Sequence, residues 1–201
     1  MHFVDGTDAE IEYEYDKNGC MTKDLNKKIS KIEYNLLNLP TKLNFADGST
    51  ISYSYDADGN KLRADYNISL MNVINGTSSN AQAGNGVTTH RDYCGNFIYE
   101  DGALKMLLFD GGYVTFNSSN SPKYHFYLKD HLGNNRVVAD ANGNIEQVNH
   151  YYPFGGLMAE STGDVQPYKY NGKELDRMHG LDSYDYGARW MSDRCCLHIS
   201  A

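Results

Sequence analysis

The stretch Tyr53-Ser54-Tyr55-Asp56-Ala57-Asp58-Gly59-Asn60-Lys61-Leu62 decides the fold. Tyr-x-Tyr has a period of two, which sends both rings to one face of an extended strand. Asp-x-x-Gly-Asn then reads as a turn, because Gly supplies a positive φ and Asp and Asn bond back to their own backbone. A second strand begins at Leu62. Working outward, Tyr13-Glu14-Tyr15-Asp16-Lys17-Asn18-Gly19 is an earlier copy, and Ile32-Glu33-Tyr34-Asn35-Leu36-Leu37-Asn38-Leu39 is a degraded one between them. Tyr15, Tyr34 and Tyr55 lie 19 and 21 residues apart. A period of about 20 residues marks a repeat architecture in which neighbouring units bury one another. After Pro40 come Leu43 and Phe45, the turn Ala46-Asp47-Gly48-Ser49, and the next tyrosine strand. The unit is strand, turn, strand, turn: a β-hairpin array.

Composition agrees with an all-β chain. Of 201 residues, 17 are Tyr, 19 Gly and only 4 Pro, and no amphipathic helix of ordinary length is evident. The net charge of −8 excludes the basic footprint of a nucleic-acid binder. Lys27-Lys28, flanked by Lys23 and Lys31, reads as a solvated edge. No apolar run approaches the ~20 residues of a membrane span, and Met1–Gly6 has no signal-peptide pattern. Cys20, Cys94, Cys195 and Cys196 show no metal spacing and read as free thiols. The sequons at Asn67, Asn75 and Asn117 read as chance occurrences in an Asn- and Ser-rich chain.

Four regions are expected: hairpin repeats over 1–66, a polar loop or linker over 67–90, a second hairpin region over 91–190, and an atypical tail over 191–201. Within the third, strands are expected at Phe97–Tyr99, Lys105–Phe109, Tyr113–Phe116, Tyr124–Leu128, Arg136–Asp140 and Ile145–Tyr152. One or two helical turns are expected over 173–179, and a last strand over 181–190.

Several fixed phrases in this order resemble a known family. They are Tyr127-Leu128-Lys129-Asp130-His131-Leu132-Gly133-Asn134, Pro153-Phe154-Gly155, Tyr170-Asn171-Gly172-Lys173-Glu174, Gly180-Leu181 and Tyr184-Asp185-Tyr186-Gly187-Ala188-Arg189. Together they resemble the Rhs repeat-associated core domain. The upstream phrases, with Tyr15, Asp16, Gly19, Tyr55, Asp56 and Gly59, resemble the YD repeats of the same Rhs/YD family. The form Asn149–Gly156 is similar to versions common in Bacteroidetes. The resemblance implies an array of antiparallel YD hairpins wound into a curved strip of a hollow shell, which encloses a variable C-terminal toxin domain. The implied partners are the rest of that shell and the enclosed toxin. The implied setting is secreted or cell-surface, and some descriptions of the family attribute carbohydrate binding to the repeats. Some members cleave themselves at an Asp-Pro-containing segment. Here Met191–Ala201 departs from the family pattern, so the chain reads as a fragment without the cleavage segment or toxin. A strip cut from a shell leaves unpaired edges and is expected to be marginal or prone to aggregation.

The residues offer little for catalysis. Asp130, Asp140, Asp176, Asp182 and Asp185 are mostly in turn contexts, although a carboxylate pair is what self-cleavage or glycoside hydrolysis requires. His125, His131, His150 and His179 lack a third ligand at metal spacing and read as structural. No Gly-x-Ser-x-Gly occurs. No catalytic residue, cofactor or metal is assigned. The recurring tyrosines read as cross-strand packing, with a glycan-stacking role for Tyr55 or Tyr152 as the alternative. Arg136 and Arg189 read as buried partners of turn aspartates.

Overall fold

The computed structural model describes residues 6–69, 86–117, 119 and 121–192. Thirteen strands form one antiparallel sheet whose spatial order is the chain order, an uninterrupted meander. β1 to β6 are Tyr13–Tyr15, Met21–Asp24, Ile29–Tyr34, Pro40–Phe45, Thr50–Tyr55 and Lys61–Ile68. β7 to β10 are Val87–Cys94, Phe97–Glu100, Ala103–Phe109 and Gly112–Phe116. β11 to β13 are Pro122–Lys129, Asn135–Asp140 and Ile145–Val148. A separate three-stranded sheet, β14 (Glu174–Asp176), β15 (Ser183–Asp185) and β16 (Trp190–Ser192), lies against the inner face of the large one. The fold is all-β, an open strip of antiparallel hairpins, and no helix among the described residues is long and apolar enough to cross a membrane.

One turn builds most of the hairpins. Asp16 Oδ1 accepts from the amides of Asn18 and Cys20 at 2.8 and 2.9 Å, and Asp56 Oδ1 from those of Asp58 and Asn60 at 2.9 and 2.8 Å. Asp130 and Asp140 repeat the arrangement. The degraded copy uses Asn35 as acceptor and Asn38, with φ 57°, where the others have Gly. Asn117 makes the same two bonds, to Ser119 and Ser121, so this apparent chance sequon is another copy of the turn. Gly19, Gly59, Gly133 and Gly143 supply the left-handed fourth position.

Several expectations need correction. The linker assigned to 67–90 is shorter at both ends, because β6 runs to Ile68 and pairs with Val87 of β7, keeping the sheet continuous. Its centre, 70–85, lies outside the described residues. Residues 174–176 are a strand, not a helical turn. Period two puts Glu174 and Asp176 on one face toward the large sheet, whereas about 100° per residue would have separated them. A short 3-10 turn, Met178–Gly180, follows. The last strand over 181–190 is two strands, β15 and β16, split by a turn at Gly187 (φ 82°). β16 takes Met191 and Ser192 from the expected tail. The return strand expected to reach Tyr152 stops at Val148, where the chain lifts off to cover the sheet.

Two cores lie under the cover. The larger gathers Met21, Ile29, Ile32, Leu43, Phe45, Ile51, Tyr53, Ala64 and Tyr66 from β2–β6 with Trp190 of the small sheet and Leu181, which follows the 3-10 turn before β15. The smaller holds Ile98, Met106, Tyr113 and Val138.

Candidate functional site

The densest polar geometry lies where β14 and β15 meet β5–β7. Glu174, 6% exposed, receives Lys61 Nζ at 2.8 Å, Arg91 Nη1 at 2.7 Å and the Tyr93 hydroxyl at 2.8 Å. Lys61, 7% exposed, also meets Asp185 Oδ2 at 2.8 Å and stands over the Tyr93 and Trp190 rings at 4.6 and 5.2 Å. Asp176, fully buried, accepts from the hydroxyls of Tyr53 (2.8 Å) and Tyr66 (2.9 Å) and from the Met178 amide (3.0 Å). One three-residue strand thus presents two carboxylates to two cations and three phenols of the large sheet.

Environment drives the two carboxylates apart. Burial alone would raise the Glu174 carboxyl, but Lys61 and Arg91 outweigh it and hold it at about 2. Asp176 has only neutral donors; burial first, then the neighbouring Glu174 charge, push its carboxyl above the usual range. Lys61 is held well above the ordinary lysine value because Glu174, Tyr93 and Asp185 overcome its burial. Divergent carboxylates are the pattern of acid–base pairs. Here, however, the ion pairs and the phenol hydrogen bonds all run between the two sheets, so the arrangement acts as an ionic clamp that fixes the small sheet on the strip.

Glu174 is the one member of this clamp among the motif residues assigned from sequence. The others serve turns and packing. Asp16, Asp56 and Asp130 hold Asx turns whose left-handed positions are Gly19, Gly59 and Gly133. Tyr55 is half-buried with its hydroxyl on the Pro40 carbonyl at 2.9 Å, and Tyr34 does the same to Met21. Tyr15 and His131 are exposed. Pro153 opens a 3-10 turn, Phe154 is exposed, and Gly155 is buried at φ 90°. A Cβ on Gly155 would stand 2.8 Å from the Tyr170 ring and 2.9 Å from the Tyr184 ring, so only Gly fits there. Gly172 has φ 68°, Lys173 lies over the Tyr186 ring, and the Tyr186 hydroxyl donates to Asn171 at 2.6 Å. Gly187 turns the chain between β15 and β16. Phe154, Tyr186, Ala188 and Arg189 converge on one shallow depression, bringing phrases 30 residues apart in sequence together.

The sequence reading missed Lys61, Arg91, Tyr53, Tyr66 and Tyr93 as a set. Arg91 carried a signal, since pairing puts it opposite Ala64 on the core face, where a cation needs a buried carboxylate. Asp176 makes the turn bond to the Met178 amide with one oxygen and is a buried acceptor for two phenols with the other. Arg136 is part-exposed and 3.9 Å from Asp130, and Arg189 is exposed, so neither is a buried partner. Lys27 is no solvated edge either; its Nζ reaches the Asp182 carbonyl at 3.0 Å and Ser183 Oγ at 3.1 Å, a second tether to the small sheet. His125 stacks on Tyr113 with ring centroids 4.3 Å apart, and His179 meets Asp47 at 2.9 Å. Cys20 is buried and Cys94 exposed, both as free thiols; Cys195 and Cys196 lie outside the described residues.

No protein-family model matches this chain. No curated protein matches it. Solved structures do. A crystal structure of TcdB2-TccC3 covers 93% of this chain and 10% of its own, with 17% identity and a TM-score of 0.69. The same complex without its hypervariable C-terminal region gives 93%, 9%, 18% and 0.68. The Photorhabdus luminescens Tc holotoxin pore gives 93%, 9%, 18% and 0.67. At this identity the likeness is one of fold, and this chain spans only about 9–10% of the length of those chains.

Proposed function

We propose that this chain is a wall segment of an Rhs/YD-type shell that encloses or presents a C-terminal toxin domain, with a structural and not an enzymatic part. The observation that carries the reading is the outer face of the strip. On β8–β13 the residues directly opposite one another on that face are apolar: Phe97–Leu107–Val114–Tyr124, Phe109–Gly112–Phe126–Ala139–Ile145, and Leu128–Val137–Val148. Phe97, Phe109, Tyr124, Phe126, Leu128 and Ile145 are exposed in these rows, and exposed apolar side chains clustered in this way mark contact with another polypeptide. The likeness to Tc toxin chains supports the reading at the level of fold. In this reading the ionic clamp locks the small sheet onto the strip as a lining element, and the protein acts at the cell surface or after secretion.

Protease protection of the intact natural protein tests it. A segment C-terminal to the strip should resist protease in the native protein and become sensitive at denaturant concentrations that open the strip. Equal sensitivity before and after opening would exclude enclosure. The glycan-binding alternative would use ring faces; the Tyr53 and Tyr66 rings are buried, and those of Tyr55 and Tyr152 are half-buried.

A further inference from the structure

A cleft of about 330 Å³ opens between β7–β9 and the 164–178 segment, separate from the apolar outer face. Its walls carry Ile98, Met106, Val165 and Met178, and two polar side chains are sunk into it. Gln166 is 3% exposed; its Oε1 accepts from the Tyr127 hydroxyl at 3.4 Å, while its Nε2 has no partner among the described residues. Lys169 is 1% exposed, and its one ionic contact among the described residues is Asp164 Oδ1 at 2.9 Å, without hydrogen-bond alignment. Asp164 is itself 59% exposed and shared with Arg177 Nη1 at 3.4 Å. Burial draws the Lys169 ammonium below the usual lysine range despite Asp164.

Buried donors left unspent are costly, and here Gln166 Nε2 is unspent and Lys169 Nζ leans on the largely exposed Asp164, both in residues that line a cleft whose walls mix aliphatic with charged side chains. The complementary group is an acceptor carrying charge on an apolar body. A multiply charged anion is disfavoured, because the other cations lining the cleft, Arg91, Lys105 and Arg177, are already paired with Glu174, Glu100, Asp164 and Asp182, and the buried Asp176 carboxyl lines it too. We propose that this cleft binds a single carboxylate with an apolar body, which takes Lys169 Nζ and Gln166 Nε2 and displaces Asp164 toward Arg177. The carboxylate belongs either to a free aliphatic acid or to an acidic side chain of a polypeptide. The proposal is independent of the shell reading.

Ligand-observed NMR titration of the full chain tests it with three probes: hexanoate, hexanamide, and the capped peptide Ala-Leu-Glu-Leu-Ala. Hexanoate or the peptide should bind at millimolar concentration or below, and hexanamide at least about ten-fold more weakly, the charge-assisted share of the contact. Lys169→Met should cost about ten-fold or more, and Asp164→Asn should tighten binding several-fold by releasing Lys169. Tighter binding of the peptide assigns the carboxylate to a polypeptide; tighter binding of hexanoate assigns it to a small acid. Equal binding of hexanoate and hexanamide, or no binding of either carboxylate, overturns the proposal. Should Lys169→Met fail to fold, Asp164→Asn decides alone: unchanged or weakened binding there is equally fatal.

Discussion

The two halves of the strip use the same hairpin and opposite faces. Across β3–β7 the outer row is polar, running Glu33–Lys42–Ser52–Asp65–His90, while the inner row Ile32–Leu43–Ile51–Tyr66 is core. Across β9–β13 the outer row Phe109–Gly112–Phe126–Ala139–Ile145 is apolar, while the inner face carries buried His125, Asn135 and Gln147 beside Tyr113 and Val138. The difference follows from what covers each half. β14–β16 pair most of their backbone among themselves, and Trp190 of β16 with Leu181 from the loop before β15 packs on β2–β6, so outside the ionic clamp the side chains there are hydrocarbon. The 149–173 segment is largely irregular, and its backbone groups need partners wherever they are buried. The strip supplies them: Asn135 Nδ2 donates to the Tyr168 carbonyl at 2.7 Å, Gln147 Oε1 accepts from the Val165 amide at 3.0 Å, and Asn134 Oδ1 accepts from the Asn171 amide at 2.8 Å. Polar residues are inside because their cover is a loop.

The sharpest way to break the comparison is to strike the clamp that belongs to the first half alone. Glu174→Gln leaves Lys61 and Arg91 buried without their shared carboxylate and is expected to destabilise by about 3–5 kcal/mol in chemical denaturation. Gln147→Ala in the second half removes neutral bonds only and should cost clearly less. Similar losses would mean that the two halves unfold as one unit whose cover chemistry is irrelevant.

Acid titration should show the same asymmetry. The Glu174 carboxyl, held at about 2 when folded, contributes stability that is present above its unfolded value and lost as the pH falls through about 2. Asp176 works the other way. Its raised value favours folding when protonated, so its stabilisation is complete at low pH and fades as the pH climbs through the folded value. Melting curves of Asp176→Asn should therefore gain on the parent toward neutral pH, and those of Glu174→Gln should lose the steep acid limb. An unchanged acid limb in Glu174→Gln would assign it to other carboxylates.

The hairpin turn should be the constant between the halves. Asp56→Ala and Asp140→Ala delete the same pair of amide acceptors and are expected to lower the melting midpoint by a similar few degrees. A several-fold disparity would show that context outweighs the turn.

This constancy is also why so much was legible. Tyr-x-Tyr-Asp-x-x-Gly is local chemistry, and local chemistry gave strand, turn and strand along much of the strip, though β7, which lacks that phrase, fell partly in the expected linker. What stayed hidden is the phase of each strand. In β11 the alternation Tyr124, Phe126, Leu128 against His125, Tyr127, Lys129 invites a core made of the first set. Pairing through Gly112 and Val114 instead turns that set outward and buries His125. Phase depends on which face a distant segment covers, and no residue near β11 records that. The clamp was hidden for the same reason. Lys61 and Glu174 lie 113 residues apart, and Glu174 was singled out only as part of a phrase.

The smallest effect on stability tests the inverted face most directly. Phe126, 42% exposed, meets Phe109 with ring centroids 6.0 Å apart, and both project from the strip rather than into a core. Phe126→Thr replaces one strand former by another, now β-branched, and should change stability within about 0.5 kcal/mol, as at an ordinary surface position. The same change should markedly reduce self-association in analytical ultracentrifugation, because it interrupts the central apolar row. Ser52→Phe on the polar half should do the reverse, adding association where the outer face now has none to offer. If Phe126→Thr instead destabilised as a core truncation does, by about 3–5 kcal/mol, the outer face of β8–β13 would be a core in its own right, and the difference between the halves would lie in which face is covered first.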